Sequence, residues 1–267
     1  MGSTRCGTEF LQGRRVFVKR AAGADAAMLV CEANGLRALA ATGTIRVPAI
    51  VIEQAMRDDA YLALEWLDLT APTEPVALGR ALAALHGAPA PRGPRGERFG
   101  WHRDNWIGGT PQVNGWSDDW TAFFRDARLA PQLERAFRNG FRSDLERDGE
   151  RLLLALPDRL RDHAPSPSLV HGDLWQGNAA TLPDGTPVVF DPAVYAGDGE
   201  VDLAMTELFG GFGAAFMPAY EGVRPIAPGY ALRRDLYNLY HLLNHLNLFG
   251  VAYLARTGRT LARLLER

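Results

Sequence analysis

The fold of this chain is decided by ten residues, Leu169-Val-His-Gly-Asp-Leu-Trp-Gln-Gly-Asn178. Within them, Asp173 stands two residues after His171, and Asn178 stands five residues after Asp173. A His-x-Asp pair alone is weak evidence, because such pairs also occur as metallohydrolase ligands or in ordinary turns. Asn178 makes the pattern more specific, and the residues that follow Asn178 further support a functional role for this stretch.

The residues after Asn178 predict a β-hairpin. Two short arms, Ala179–Leu182 and Pro187–Phe190, flank the turn Pro183-Asp-Gly-Thr186, and Asp191 follows the second arm. Asp-Gly between two strand-like runs is a hairpin signal. Arms of nearly equal length return the chain to its start, so we expect Asn178 and Asp191 to lie side by side. A carboxylate and an amide oxygen supplied together suit an octahedral Mg²⁺ between ATP phosphates.

The interval His-x-Asp-Leu-x-x-x-Asn is the spacing of a kinase catalytic loop. In that arrangement Asp173 faces the acceptor hydroxyl and orients it or takes its proton. Two nearby residues have open interpretations. Trp175 is either a packing residue or a wall of the acceptor pocket. Asp202, which begins a predicted helix, is either an ordinary N-cap or a structural support for the loop, together with His171.

A kinase also needs a lysine and a glutamate upstream of this loop. Lys19 ends a strand-like run, the context of a lysine that contacts the α- and β-phosphates, and Glu32 on the following helix can pair with it. Taken alone, both would be ordinary surface residues, but the downstream loop favours the functional interpretation. The predicted strand Tyr61–Trp66 leads into the expected hinge, where the backbone near Glu65 and Leu67 would hydrogen-bond adenine.

The composition limits the classes of protein to consider. The 267 residues suffice for two lobes, and an apolar content of 47% excludes general disorder. A formal net charge of −2 argues against a nucleic-acid partner. The sequence shows neither a membrane span nor a signal-peptide core, and Cys6 and Cys31 form no disulfide framework or metal-ligand pattern. We therefore expect a soluble cytoplasmic protein.

The order of the predicted elements divides the chain after residue 68. Residues 1–68 are rich in strands, and residues 69–267 are mostly helical. The proline-punctuated stretch Thr70–Pro75 is predicted to be a linker. Helical patterns follow at Val76–His86, Trp120–Arg128, Leu145–Leu156 and Leu232–Leu254. We expect the first part to bind ATP and the second to supply the catalytic loop and the substrate site.

The start of the chain departs from the kinase pattern. Kinases of this kind cover the phosphates with a glycine-rich loop between their first two strands. Gly7 is the candidate glycine between Arg5 and Phe10, so we expect a first strand and loop that are truncated or vestigial. ATP would then be held mostly by Lys19 and Mg²⁺, and held weakly. Oxidation of Cys6 near this loop is a further hypothesis, beside the simpler one of an inert thiol.

The segment Phe99–Trp120 is dense in tryptophan and asparagine and has neither a helical nor a strand period. Such a segment is more often a packed irregular loop than a binding site. Its side chains nevertheless suit a sugar, which needs an aromatic wall and a few hydrogen-bonding groups. We predict that the segment forms an acceptor wall facing Trp175. The candidate acceptor residues are Asn105, Gln112, Asn114, Trp120 and Trp175.

Several motifs together resemble the fructosamine-kinase (ketoamine-kinase) family. They are His171-Gly-Asp-Leu-Trp-Gln-Gly-Asn178, Phe190-Asp-Pro-Ala-Val-Tyr195, Glu207-Leu-Phe-Gly-Gly-Phe212, Gln112-Val-Asn114 with Asp119-Trp120, and Leu236-Tyr-Asn-Leu-Tyr-His-Leu-Leu-Asn-His245 with Phe249-Gly250. The similarity covers nearly the whole chain from Val16 on. It implies an α+β, bilobal protein-kinase-like fold, with a small N-terminal lobe of sheet plus helix and a larger, mostly helical C-terminal lobe.

The resemblance also implies a reaction. Members transfer the γ-phosphoryl group of ATP to the sugar 3-hydroxyl of a ketosamine, often one attached to a protein lysine, and the phosphorylated sugar then leaves by elimination. The residues carried over are the base Asp173, the Mg²⁺ ligands Asn178 and Asp191, and the phosphate clamp of Lys19 and Glu32. One position departs from the family, which often has serine where this chain has Gln176. The expected outcome is repair of glycated amines.

Two alternatives remain open. An aminoglycoside- or choline-type kinase shares the His-Gly-Asp loop. The aromatic, low-charge segment Phe99–Trp120 argues against a polycationic acceptor, although the carboxylates of Asp118 and Asp119 leave that alternative open. A pseudokinase that binds nucleotide without turnover is suggested by the truncated glycine loop, although every chemical residue is present. The sequence does not indicate an oligomeric state.

Overall fold

The computed structural model describes residues 4–69 and 73–266. In chain order the strands are β1 (Arg5–Leu11), β2 (Arg14–Ala22), β3 (Ile50–Ala55), β4 (Asp59–Glu65), β5 (Asn105–Ile107), β6 (Thr110–Gln112), β7 (Pro167–Val170), β8 (Ala179–Thr181), β9 (Pro187–Val189) and β10 (Tyr195–Asp198). The α-helices are α1 (Ala26–Ala41), α2 (Pro75–Gly87), α3 (Trp120–Phe124), α4 (Ala130–Ala136), α5 (Arg142–Arg159), α6 (Glu200–Leu208), α7 (Phe216–Glu221), α8 (Tyr230–Phe249) and α9 (Leu254–Glu266). Within the described ranges, no helix is both long and apolar enough to span a membrane.

The chain divides into two compact units, each built from three separate stretches. The first unit comprises Met1–Ala88, Asp173–Val194 and Gly210–Pro225, and the second comprises Pro89–Gly172, Tyr195–Phe209 and Ile226–Arg267. The boundary predicted after residue 68 stays a prediction. The linker predicted at Thr70–Pro75 falls partly on residues 70–72, which lie outside the described residues.

The first unit contains a four-stranded antiparallel sheet in the order β1-β2-β4-β3. Every residue of β1 pairs with β2, so the expectation of a missing or vestigial strand before Val16 is wrong. Gln12 and Gly13 form the turn with φ of 51° and 77°, and two successive left-handed residues match the twist of a tight hairpin. The side chains of β1 are mostly exposed, and this strand therefore lacks the apolar alternation that would have revealed it.

The two faces of this sheet have different partners. Lys19 contacts Glu32 of α1, so its face of β2 lies toward that helix. Side chains alternate along a strand, and Val16 and Val18 therefore occupy the opposite face, where they cluster with Ala63 of β4. The register of β2 thus places a lysine, rather than a valine, on the helix side.

The hairpin predicted after the catalytic loop is confirmed. β8 and β9 pair antiparallel, with Ala179 opposite Val189. At the turn, Gly185 has φ of 86°, and the Asp184 carboxylate accepts a hydrogen bond of 2.9 Å from the Thr186 backbone N–H. This register brings the residue before β8 and the residues after β9 to the same end of the hairpin.

In the second unit, the helices predicted at Trp120–Arg128 and Leu145–Leu156 belong to one longer helical run. Wider π turns, Arg125–Leu129 and Phe137–Phe141, join α3, α4 and α5. The backbone bends at Gly140, whose φ of 97° is not helical. Elsewhere in this unit β7 pairs with β10, and α6 and α9 pack on the long helix α8.

Candidate active site

Lys19 is the centre of a buried ionic cluster in the first unit. Its Nζ lies 2.7 Å from Oε1 of Glu32 and 2.5 Å from Oδ1 of Asp191. The side chains of Lys19 and Glu32 are nearly buried, whereas that of Asp191 is 49% exposed. The cluster therefore presents one carboxylate to solvent and keeps its other two members inside.

The protonation states of the cluster follow from burial and mutual charge. Burial lowers the pKa of Lys19, but the charges of Glu32 and Asp191 outweigh it and hold that pKa above its ordinary value. Burial also raises the pKa of Glu32 to about 7, despite the opposing charge of Lys19. Lys19 is therefore a fixed cation, suited to a polyanionic ligand.

Lys19 is also the single lysine among the 267 residues, in a chain otherwise rich in arginine. Lys19 was predicted at the end of a strand, whereas β2 continues to Ala22. That the chain has a single lysine is a second, independent indication that Lys19 is functional, and the composition alone shows it. Because the two basic residue types are so unequally used, an ammonium rather than a guanidinium at this buried position is a specific feature of the site.

Asp191 has a backbone conformation that non-glycine residues seldom adopt, with φ of 55°. Such a conformation costs on the order of 1 kcal/mol, less for aspartate than for bulky residues. Just before it, the Phe190 N–H donates to the Asn178 carbonyl at 3.1 Å. The hairpin therefore holds Asp191 close to the end of the catalytic loop in a strained turn, as is frequent at functional sites.

Asn178 connects to the predicted base. Its Nδ2 donates to the backbone carbonyl of Asp173 at 2.8 Å and to Oδ2 of the same residue at 3.2 Å. Both bonds use the amide nitrogen, so Oδ1 is the atom left to serve as a ligand. Together with the half-exposed carboxylate of Asp191 at the same end of the hairpin, it forms a donor set of two oxygens that fits Mg²⁺.

In the second unit, Asp202 supports the start of the catalytic loop. Its carboxylate accepts hydrogen bonds from the backbone N–H groups of His171 at 2.7 Å and of Gly172 at 2.8 Å. Gly172 has φ of 83°, which suits glycine, and both His171 and Asp202 are fully buried. Asp202 thus makes the contact expected of a support residue, and its side chain is more than a simple helix cap.

A cavity of about 370 Å³ lies beside Lys19 in the first unit. Its polar lining includes Lys19, Asp191 and Cys6. Its apolar walls are formed by Phe17, Pro48, Leu64, Trp66, Leu67 and Phe190. An apolar pocket with a cation at one end suits a ligand with a flat apolar part and a charged tail.

The predicted hinge residues line this cavity, but the Glu65 side chain is already occupied. Its carboxylate accepts hydrogen bonds from Arg46 Nη2 at 2.5 Å and from the Ala49 N–H at 3.1 Å. No sequence pattern indicated Arg46, whose carbonyl also accepts a hydrogen bond from the N–H of Val189 in β9. Arg46 thus links the hinge strand to the hairpin that carries Asp191, a long-range link that no local pattern reveals.

Three of the predicted acceptor residues, Asn105, Gln112 and Asn114, form a buried network in the second unit. Asn105 Oδ1 accepts from Gln112 Nε2 and from Asn114 Nδ2, both at 2.8 Å. Arg128 Nη2 donates to Asn114 Oδ1 at 2.8 Å, and the Tyr240 hydroxyl donates to Gln112 Oε1 at 2.7 Å. These polar atoms therefore satisfy one another inside the unit.

Trp120 is buried as well, and its Nε1 donates to the Tyr237 hydroxyl at 3.0 Å. Packing therefore accounts for the segment Phe99–Trp120, and contact of its four candidates with an acceptor stays a prediction that burial does not favour. Trp175 differs from them. This residue is 40% exposed, and its ring lies against Gly177, where an added Cβ would come within 2.3 Å of the ring.

A second polar cluster in this unit has the composition of a metal site but the contacts of an ion-pair network. One ligand atom each of His163, Asp198 and Glu200 lies within 4.8 Å of the others. Both carboxylate oxygens of Glu200 accept hydrogen bonds from Arg233, at 2.6 and 2.8 Å. A guanidinium already neutralises this carboxylate, so the cluster is better explained as a structural support.

The arrangement of a strand lysine, a helix glutamate, an Asp–Asn catalytic loop and an aspartate after a hairpin defines a protein-kinase-like phosphotransferase. The family model for fructosamine kinases matches residues 5–267. This chain belongs to the fructosamine kinase family. The family predicted from the motifs is thereby confirmed.

Similar proteins support this conclusion. The chain is 46% identical over 255 residues to a Synechocystis protein named "Probable ketoamine kinase", covering 95% of this chain and 84% of that one. It is 41% identical over 239 residues to the chloroplastic protein-ribulosamine 3-kinase of Arabidopsis thaliana, covering 89% and 72%.

Solved structures show the same fold. A crystal structure assigned as a fructosamine-3-kinase from Thermobifida fusca superposes with a TM-score of 0.81 at 32% identity and covers 100% of this chain and 94% of that one. An aminoglycoside phosphotransferase superposes with a TM-score of 0.64 at 16% identity, covering 100% and 93%, which shows the fold alone. The predicted α+β, protein-kinase-like fold class is confirmed.

Proposed function

We propose that this protein is an ATP-dependent kinase that phosphorylates the sugar 3-hydroxyl of ketosamines, such as fructosamine or ribulosamine on amines and protein lysines. The observation that carries the proposal is the buried Lys19, held between Glu32 and Asp191 at the end of an apolar cavity. The ketoamine and ribulosamine kinases among the similar proteins supply the substrate class.

The cavity accepts the nucleotide. The adenine base fits between the apolar walls and hydrogen-bonds the backbone near Glu65 and Leu67, since the Glu65 side chain is engaged elsewhere. Lys19 then meets the α- and β-phosphates, and Glu32 keeps the ammonium in place. Asn178 and Asp191 would hold Mg²⁺, which neutralises charge on the phosphates when bound.

Asp173 acts on the acceptor. Asn178 fixes its carboxylate through Nδ2, which leaves the other oxygen able to accept the proton of the sugar hydroxyl. The hydroxyl oxygen forms a bond to the γ-phosphorus while the bond to the β–γ bridging oxygen breaks, and ADP leaves. Asp202 and His171 support the loop, and the exposed ring of Trp175 provides a wall for the sugar.

We also propose that the reaction takes place in the cytoplasm, where the thiols of Cys6 and Cys31, neither of which is in a disulfide, would remain reduced. Subsequent loss of the phosphorylated sugar would restore the amine, so the enzyme would repair glycated amines. The negative net charge gives no support for a nucleic-acid partner.

A panel of acceptors tests the proposal. The protein would be incubated with Mg-ATP and fructosyl-lysine, ribulosyl-lysine, kanamycin or choline, and ADP formation measured for each. We expect turnover with the two ketosamines alone. Turnover with kanamycin or choline in their place would establish the alternative small-molecule kinase. ATP binding without turnover on any acceptor would establish a pseudokinase.

A further inference from the structure

The loop that joins α6 to α7 has a backbone that depends on glycine. Gly210, Gly211 and Gly213 have φ of 104°, 71° and 94°, in the region that residues with a Cβ adopt only with strain. Glycine imposes little conformational preference of its own. A loop with three such residues therefore needs outside contacts to hold one conformation.

Gln176 supplies such a contact. Its side-chain Nε2 donates a hydrogen bond to the carbonyl oxygen of Gly211, 35 residues later in the chain and within the same compact unit. Gln176 lies between the predicted base Asp173 and the predicted metal ligand Asn178. The bond therefore connects the catalytic loop directly to the glycine loop.

The contact lies away from the nucleotide cavity. As far as the described residues define that cavity, neither Gln176 nor Gly211 lines it. The residues next to Gln176 are Trp175, which is 40% exposed, and Gly177, against which the Trp175 ring packs. A change at Gln176 should thus affect the surface that Trp175 presents before it affects the nucleotide.

We propose that Gln176 is a positioning residue for the acceptor. Its hydrogen bond to Gly211, here called the latch, holds the glycine loop, residues 210–213, against the catalytic loop and so fixes the acceptor side of the site. This inference rests on the proposed kinase function.

Breaking the latch should weaken acceptor binding more than nucleotide binding. The net contribution of one neutral hydrogen bond corresponds to a change of about two- to tenfold in an equilibrium constant. We therefore expect the KM for fructosyl-lysine to rise by about that factor, while the KM for ATP stays unchanged.

Gln176→Glu and Gln176→Ser are the variants to compare with the wild type. The glutamate keeps the length of the side chain but cannot donate as a carboxylate, and the serine is too short. Gln54→Glu, on the exposed part of β3, is the matched control because it makes the same chemical change elsewhere. Both KM values would be measured, together with amide hydrogen exchange of the peptide 209–217 without substrates.

We expect faster exchange of that peptide and a raised acceptor KM in both Gln176 variants, and wild-type behaviour in the control. Unchanged exchange and unchanged acceptor KM would overturn the proposal. Faster exchange with both KM values rising together would overturn the acceptor role and leave a structural one. If the wild type phosphorylates no ketosamine, the proposed function itself fails, whereas the exchange result still decides whether the latch exists.

Discussion

Lys19 Nζ lies 2.5 Å from Oδ1 of Asp191, although 172 positions separate the two residues in the chain. The first sits near the middle of a strand in the N-terminal sheet, and the second follows a hairpin after the catalytic loop. Their contact joins the two sequence motifs into one site. It also places the single lysine of the chain at the polar end of the cavity.

Because Lys19 is the single lysine, an amine-acetylating reagent has one side-chain target. The ion pairs keep the ammonium protonated despite its burial, and burial limits access of the reagent, so we expect slow acetylation near pH 8 and further protection by Mg-ATP. Peptide mass spectrometry would measure the rate, with the α-amine of the chain as an internal reference. Acetylation as fast as that of a free lysine, and indifferent to ATP, would contradict the position of the nucleotide.

Asp202→Asn tests the support of the catalytic loop. Asparagine offers one oxygen where two N–H donors, those of His171 and Gly172, now bind a carboxylate. We expect a loss of about 1–3 kcal/mol in the free energy of unfolding, together with a fall in kcat. Chemical denaturation would measure the first. Asp184→Asn, in an exposed turn, is the control and should leave both nearly unchanged. An Asp202 variant as stable and active as that control would refute the support role.

Whether a part of this site could be predicted depends on how far apart in the sequence its contacting residues lie. The spacing from His171 to Asn178 and the Asp-Gly turn are local patterns. The hairpin that the turn predicted is present, and the catalytic role of the loop stays a prediction. The link from Gln112 to Tyr240 spans 128 positions, and no periodicity in either segment indicates it. The segment Phe99–Trp120 was therefore predicted to contact the sugar, whereas its side-chain amides form hydrogen bonds inside the second unit.

The strand β1 was difficult to predict for a different reason. Its position in the sheet is dictated by backbone pairing with β2, and its side chains face mostly solvent. Sequence patterns report burial, so an exposed edge strand gives a weak signal. The expectation of a truncated first strand came from the single candidate glycine, Gly7, between Arg5 and Phe10, and the side-chain pattern of β1 gave no signal against it.

His241 makes stability depend on pH. Burial lowers its pKa to about 3, and its Nδ1 makes no hydrogen bond among the described residues. Between about pH 6.5 and 3 the unfolded chain binds a proton that the folded one does not, so this residue destabilises the fold as pH falls, by up to about 1.4 kcal/mol per pH unit. His241→Leu should therefore lose less stability than the wild type between pH 7 and 5 in urea unfolding. Equal pH slopes for the two proteins would contradict this explanation.

Trp175→Ala tests the acceptor wall. Trp175 is 40% exposed, so we expect a small loss of thermal stability, a marked rise in the KM for the ketosamine and little change in the KM for ATP. Steady-state kinetics with each substrate varied in turn would measure the difference. A large fall in Tm with both KM values raised alike would show a packing residue instead.

The central claim is that Asp173 directs the γ-phosphoryl group of ATP onto the 3-hydroxyl of a ketosamine sugar. The direct measurement is an NMR analysis of the product formed from Mg-ATP and fructosyl-lysine by the wild type and by Asp173→Asn. We predict a single phosphate ester at the sugar 3-position, formed about 10²–10⁴-fold more slowly by the variant, with ATP affinity retained. An ester at another position, or a variant with more than half the wild-type turnover, would contradict the account.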